Sequence, residues 1–71
     1  MIRHLIEKGK SYTDKRGNVR LVMRIMVSKM DSDFDMITYR VTERKTLSKH
    51  AINSNHTINR RSFAQWAREL V

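Results

Sequence analysis

The chain has 71 residues, with 15 Lys plus Arg against 7 Asp plus Glu, no Cys and no Pro. Its net charge of +8 points to an anionic partner, nucleic acid or an acidic protein face, while the lack of Cys excludes a disulfide framework and a thiolate metal site. No apolar run nears the ~18 residues of a membrane span, and the opening MIRHLIEKGK is too poor in apolar residues for a secretory signal.

These limits predict one small basic domain over residues 1–71, cytoplasmic and not bound to membrane. A chain of this size leaves much of its surface in water. A homodimer or another partner is therefore expected to add burial.

In chain order, residues 1–8 fit one helical turn or an edge strand equally well. Residues 11–14 read as a short strand, followed by turn chemistry in DKRGN, where Gly17 can take a positive φ. Residues 19–27 alternate. Val19, Leu21, Met23, Ile25 and Val27 share one face, and Arg20, Val22, Arg24 and Met26 share the other. The polar MDSDFD makes the next turn, and residues 35–43 alternate again, with Ile37, Tyr39 and Val41 on one side. A further strand is expected within 46–53, and a short one at 56–58.

The stretch INRRSFAQWAREL closes the chain. With Asn59 as N-cap, Ile58 and Phe63 stand at the spacing of a hydrophobic staple. Phe63, Trp66, Ala67 and Leu70 fall within roughly a 100° arc, the width of a core-facing stripe. Arg61, Gln65 and Arg68 lie opposite. The pattern describes a packing helix.

The predicted fold is α+β and mostly β: a small twisted antiparallel sheet or SH3-like barrel of four to five strands with one C-terminal helix. Gly9 and Tyr12 before a strand, the long strand 19–27, and Phe63 with Trp66 on a terminal helix carry a resemblance. On these features the chain resembles small phage- and prophage-encoded proteins with an SH3-like barrel. The resemblance brings no active residues with it. Leu21, Met23, Ile25, Ile37, Tyr39, Val41, Phe63, Trp66 and Leu70 are the expected core.

Several local patterns fail as sites. Asp31, Asp33 and Asp35 alternate as a calcium loop begins, but its glycine position is Met36 and its bidentate acidic position is Thr42. Of His4, His50 and His56, the last two stand six apart, and no Cys or carboxylate joins them at a usual ligand spacing. No motif recruits Lys49 or Arg60 to make the histidines an acid–base pair. Hence no metal, cofactor or catalytic residue is expected.

The functional signal lies in the distribution of charge. Arg20, Arg24 and Arg40 are expected on the sheet face opposite the apolar rows, with Arg44, Lys45 and Lys49 following at the next turn and strand. Arg60 and Arg61 open the helix, where bare N–H groups also attract anions. Such a face suits the phosphates of DNA or RNA. The leading expectation is a non-enzymatic nucleic-acid-binding accessory protein. The alternative is a phage or mobile-element inhibitor of a host protein, using the adaptable surface of Met26, Met30 and Met36.

Overall fold

The computed structural model describes residues 1–45 and 50–71. Ser11–Thr13 (β1) and Val19–Met26 (β2) form the first hairpin. Its connection is tight enough to need φ of 65° at Lys15 and 90° at Gly17, conformations that cost least at glycine. Asp14 fixes the turn by accepting hydrogen bonds from the Arg16 N–H at 2.8 Å and the Asn18 side-chain amide at 2.8 Å.

Met36–Glu43 (β3) pairs with β2, after a 3₁₀ turn over Ser32–Phe34 in which the Asp31 side chain accepts from the Asp33 N–H. Asn55–Asn59 (β4) then pairs with β3. Part of the strand expected within 46–53 lies outside the described residues. Residues 50–53 make a turn instead, because Asn53 takes φ of 67° and the Ser54 N–H closes onto the Ala51 carbonyl.

The helix Arg60–Trp66 (α1) starts as its sequence predicts, with the Asn59 side chain accepting from the Ser62 N–H at 2.7 Å. It stops sooner than its apolar stripe. Ala67 turns extended, the Arg68 N–H donates to the Thr13 carbonyl, and Glu69–Leu70 (β5) pairs with β1. That pairing satisfies backbone groups that would otherwise line an open edge of β1. The resulting sheet has the order β4-β3-β2-β1-β5. Among the described residues the fold is mostly β, five antiparallel strands with one α-helix near the C-terminal end.

Directly opposed residues share a sheet face, so the register identifies which side chains meet the helix. Arg20 opposes Val41, Val22 opposes Tyr39, and Ile25 opposes Ile37. Between Val22 and Arg24 the register shifts, leaving Met23 as the extra residue of a bulge. The inward positions are therefore even-numbered before Met23 and odd-numbered after it. The expected unbroken alternation is corrected: Val22 is fully buried, Met23 is 38% exposed, and Leu21 is only partly covered on the outer face. Leu70, expected inside, is 51% exposed because it sits in β5 rather than on the helix.

The core comprises Ile6, Tyr12, Val22, Ile37, Tyr39, Val41, Phe63, Ala64 and Ala67, with Ile25, Ile58 and Trp66 packed against it. Phe63 is its centre, edge-on to both Tyr12 and Tyr39 at 5.7 and 5.6 Å between ring centroids. Residues 1–8 take the helical-turn alternative, as a 3₁₀ turn over Arg3–Leu5. The Tyr12 hydroxyl holds this segment by donating to the Leu5 carbonyl and accepting from the Glu7 N–H. The Met1 ammonium donates to the carbonyls of Ala64 and Ala67, at the end of α1.

Candidate nucleic-acid interface

The helix covers one face of the sheet. On the other face, Arg24 opposes Thr38, while Arg40 lies between Leu21 on β2 and Asn55 on β4. The Arg40 Nε donates to Asn55 Oδ1 at 3.1 Å, and the Thr38 and Thr57 hydroxyls meet at 2.9 Å. These bonds tie two adjacent rows of polar groups across β3 and β4, and Arg24 of β2 stands opposite Thr38 in one of them. Met26 and Met36 oppose each other further along the same face. Glu43, opposite Val19, and Glu69, opposite Thr13, fall at the end of this face nearest the first hairpin, while Leu21, Arg24, Met26, Met36, Thr38, Arg40, Asn55, Thr57 and Asn59 fill its other positions on β2, β3 and β4.

Arg20 does not join Arg24 and Arg40. It precedes the bulge and points to the helix side, with its guanidinium carbon 4.4 Å from the Tyr39 ring centroid and 3.9 Å from that of Trp66. Burial lowers its pKa, while Tyr39 and Asp14 act to raise it. An arginine remains cationic at neutral pH despite such a shift. Arg20 thus mainly clamps two aromatic rings.

Arg60 is also turned inward, contrary to its expected place on an exposed first turn. Its Nε pairs with Asp35 Oδ2 at 3.1 Å, and its Nη1 donates to the carbonyls of Arg3 and Ile6. Asp35 uses its other oxygen to accept from the Ser28 N–H. The N-terminal segment, the β2–β3 connection and the start of α1 meet at this pair, so Arg60 is committed to structure. Arg61 is exposed beside it.

Arg44 leaves the end of β3 and donates to the His50 carbonyl at 3.4 Å. Lys45 is tied to the first hairpin, its N–H donating to Asn18 Oδ1 while its side chain passes over Gly17. Lys49 lies outside the described residues. The eight cations picked from the sequence therefore do not form one continuous patch. Two of them, Arg24 and Arg40, share the open face.

A second basic region was not anticipated. Asp14, Arg16, Gln65, Trp66 and Arg68 line an open pocket of about 200 Å³ where the first hairpin meets the end of α1. Sequence spacing gives no hint of it, since 52 positions separate Arg16 from Arg68 and only the β1–β5 pairing brings them together. Burial acts to raise the Asp14 pKa, but hydrogen bonds from the Asn18 side chain and the N–H groups of Arg16 and Asn18 leave it below the usual carboxylate value.

His50 and His56 do meet, with ring centroids 3.8 Å apart. Ser54 Oγ lies 2.8 Å from His56 Nε2 and also donates to the Ala51 carbonyl. That hydroxyl proton is thus already placed on a carbonyl, not poised for transfer to the imidazole. Among the described residues no three His, Cys, Asp or Glu side chains cluster to hold a metal. None of the described helices is long and apolar enough to cross a membrane. Comparison with family models, curated proteins and solved structures gives no match.

Proposed function

We propose that this chain is a non-enzymatic module that binds DNA or RNA through the phosphate backbone, using the open sheet face. The observation that carries this reading is the pair of adjacent rows, Arg24–Thr38–Thr57 and Arg40–Asn55, that set two guanidinium groups among hydroxyls and an amide on three neighbouring strands. Guanidinium groups replace condensed counterions on phosphates, and hydroxyls and amides add positioning bonds. The face offers no aromatic side chain at its paired positions, so base stacking and sequence readout are not expected of it. Arg44, Lys45 and Arg61 extend the positive field beyond this face.

The test is a gel-shift titration with generic duplex and single strands. Wild-type protein should bind both at ~50 mM salt, where electrostatic association is strong. Arg24→Glu with Arg40→Glu should abolish binding and leave the circular dichroism spectrum unchanged. Absence of wild-type binding at that salt would remove the proposal.

One observation favours a second reading, a mobile-element inhibitor that docks on an acidic host-protein surface. Met26 and Met36 are exposed as a pair, and Val27, Met30 and Phe34 are exposed on the connection that joins their strands. A protein partner would cover such apolar groups, whereas a phosphate backbone would not. Under that reading the protein ignores free nucleic acid and co-purifies with one nuclease-resistant protein partner.

A further inference from the structure

We propose that the pocket between the first hairpin and the end of α1 is a phosphate-monoester site, with Arg16 and Arg68 as its anion ligands. Both arginines line the pocket, and among the described residues neither forms an ion pair. The neighbouring Lys15 is instead bound to Glu69 at 3.3 Å. Two arginines lining one small cavity can present planar guanidinium forks to the oxygens of a phosphate group.

Asp14 is the one carboxylate in the lining, and its oxygens are taken up by the hairpin turn. Oδ1 accepts from the Arg16 and Asn18 N–H groups, and Oδ2 from the Asn18 amide. Arg20, stacked on Trp66, adds a third positive charge beside the pocket wall. The local balance stays positive. Gln65 supplies an amide that can donate to a further phosphate oxygen.

Size narrows the ligand. At about 200 Å³ the pocket is smaller than the ~300–1,000 Å³ of sites that enclose whole drug-sized molecules. A phosphate head fits, with whatever carries it left outside. That carrier can be the end of a nucleic-acid strand or a free mononucleotide, and the chemistry of recognition is shared. The site lies on the helix side of the sheet, away from Arg24 and Arg40. It stands or falls independently of the open-face proposal.

Trp66 is the only tryptophan and lines the pocket, so its emission reports occupancy. The full chain is titrated with inorganic phosphate, with a 5′-phosphorylated oligonucleotide, and with the same oligonucleotide lacking that phosphate. Phosphate should give a saturable emission change that potassium chloride at matched ionic strength does not. Arg16→Gln and Arg68→Gln should each weaken it about ten-fold or more, as loss of a charge-assisted bond does. Arg24→Gln with Arg40→Gln should leave it intact.

With a saturable response to phosphate in hand, tighter binding of the 5′-phosphorylated oligonucleotide than of the same oligonucleotide lacking that phosphate identifies a strand end as the carrier, while equal binding of the two identifies a free monoester. Both outcomes support the site. Because both arginines are exposed, the variants should keep the wild-type circular dichroism spectrum. No saturable response, an equal response to chloride, or an unchanged response in both arginine variants would overturn the proposal.

Discussion

Arg60 and Asp35 show how far one pair of side chains organises this protein. The guanidinium reaches Asp35 and two carbonyls of the N-terminal segment, while the Arg60 N–H donates to the Asp35 carbonyl at 2.7 Å. Removing one partner leaves the other charge buried, which costs roughly 3–5 kcal/mol. Arg60→Ala should therefore lower the urea midpoint sharply, whereas Arg61→Ala on the exposed side should shift stability by only about 0.5 kcal/mol. Equal, small effects at the two positions would contradict the buried bridge.

Tyr39 offers a pH test at the same scale. Burial raises its phenol pKa above the ordinary 10.0, and the nearby Arg20 only partly opposes that shift. The folded protein thus holds the phenolic proton more tightly than the unfolded chain. Its contribution to stability is complete below pH 10 and is lost as pH rises from there through the folded value. Denaturant midpoints of the wild type should fall more steeply above pH 10 than those of Tyr39→Phe. Parallel profiles would show that this phenol is not perturbed.

At the scale of elements, β2 separates what was legible from what was not. Its length and strand character follow from β-branched and alternating residues, and β3 and the N-cap at Asn59 are equally plain. A bulge is invisible to period-two counting, because it is settled by pairing with β3 rather than by β2 itself. That one residue moves Arg20 to the helix side and leaves Arg24 outside, so the expected trio of arginines is split. The inward turn of Arg60 is hidden from the sequence for a related reason, since only tertiary contact pairs it with Asp35.

The end of α1 was ambiguous because the 63, 66, 67 and 70 spacing suits a helix, while the unpaired edge of β1 lies far away in sequence. The bulge makes a direct prediction. Val22→Asp should unfold the chain by burying an unpaired charge, while Met23→Asp should leave it folded. Unbroken alternation demands the reverse. Phe63→Ala should cost roughly 3–5 kcal/mol, read as a lowered melting temperature.

For the whole molecule, a net charge of +8 includes two separate groups of arginines: Arg24 and Arg40 on the open face of the sheet, and Arg16 and Arg68 at the pocket beside the first hairpin. The carboxylates Glu7, Asp33, Asp35 and Glu69 are engaged by Lys10, Arg3, Arg60 and Lys15, leaving Arg24 and Arg40 without an acidic neighbour at their paired positions. The small core and the exposed methionines fit association with a second copy. Light scattering over a concentration series should then give twice the 8.5 kDa chain mass, and a single-chain mass throughout would contradict a dimer.

The most direct test of the open face is the salt dependence of duplex binding by wild type and by Arg24→Ala with Arg40→Ala. Each lost phosphate contact should reduce the slope of log K against log salt by about 0.9. The double variant should therefore bind all sequences more weakly, with a slope shallower by roughly two contacts' worth. An unchanged slope, or no wild-type binding at ~50 mM salt, would contradict phosphate recognition by this face.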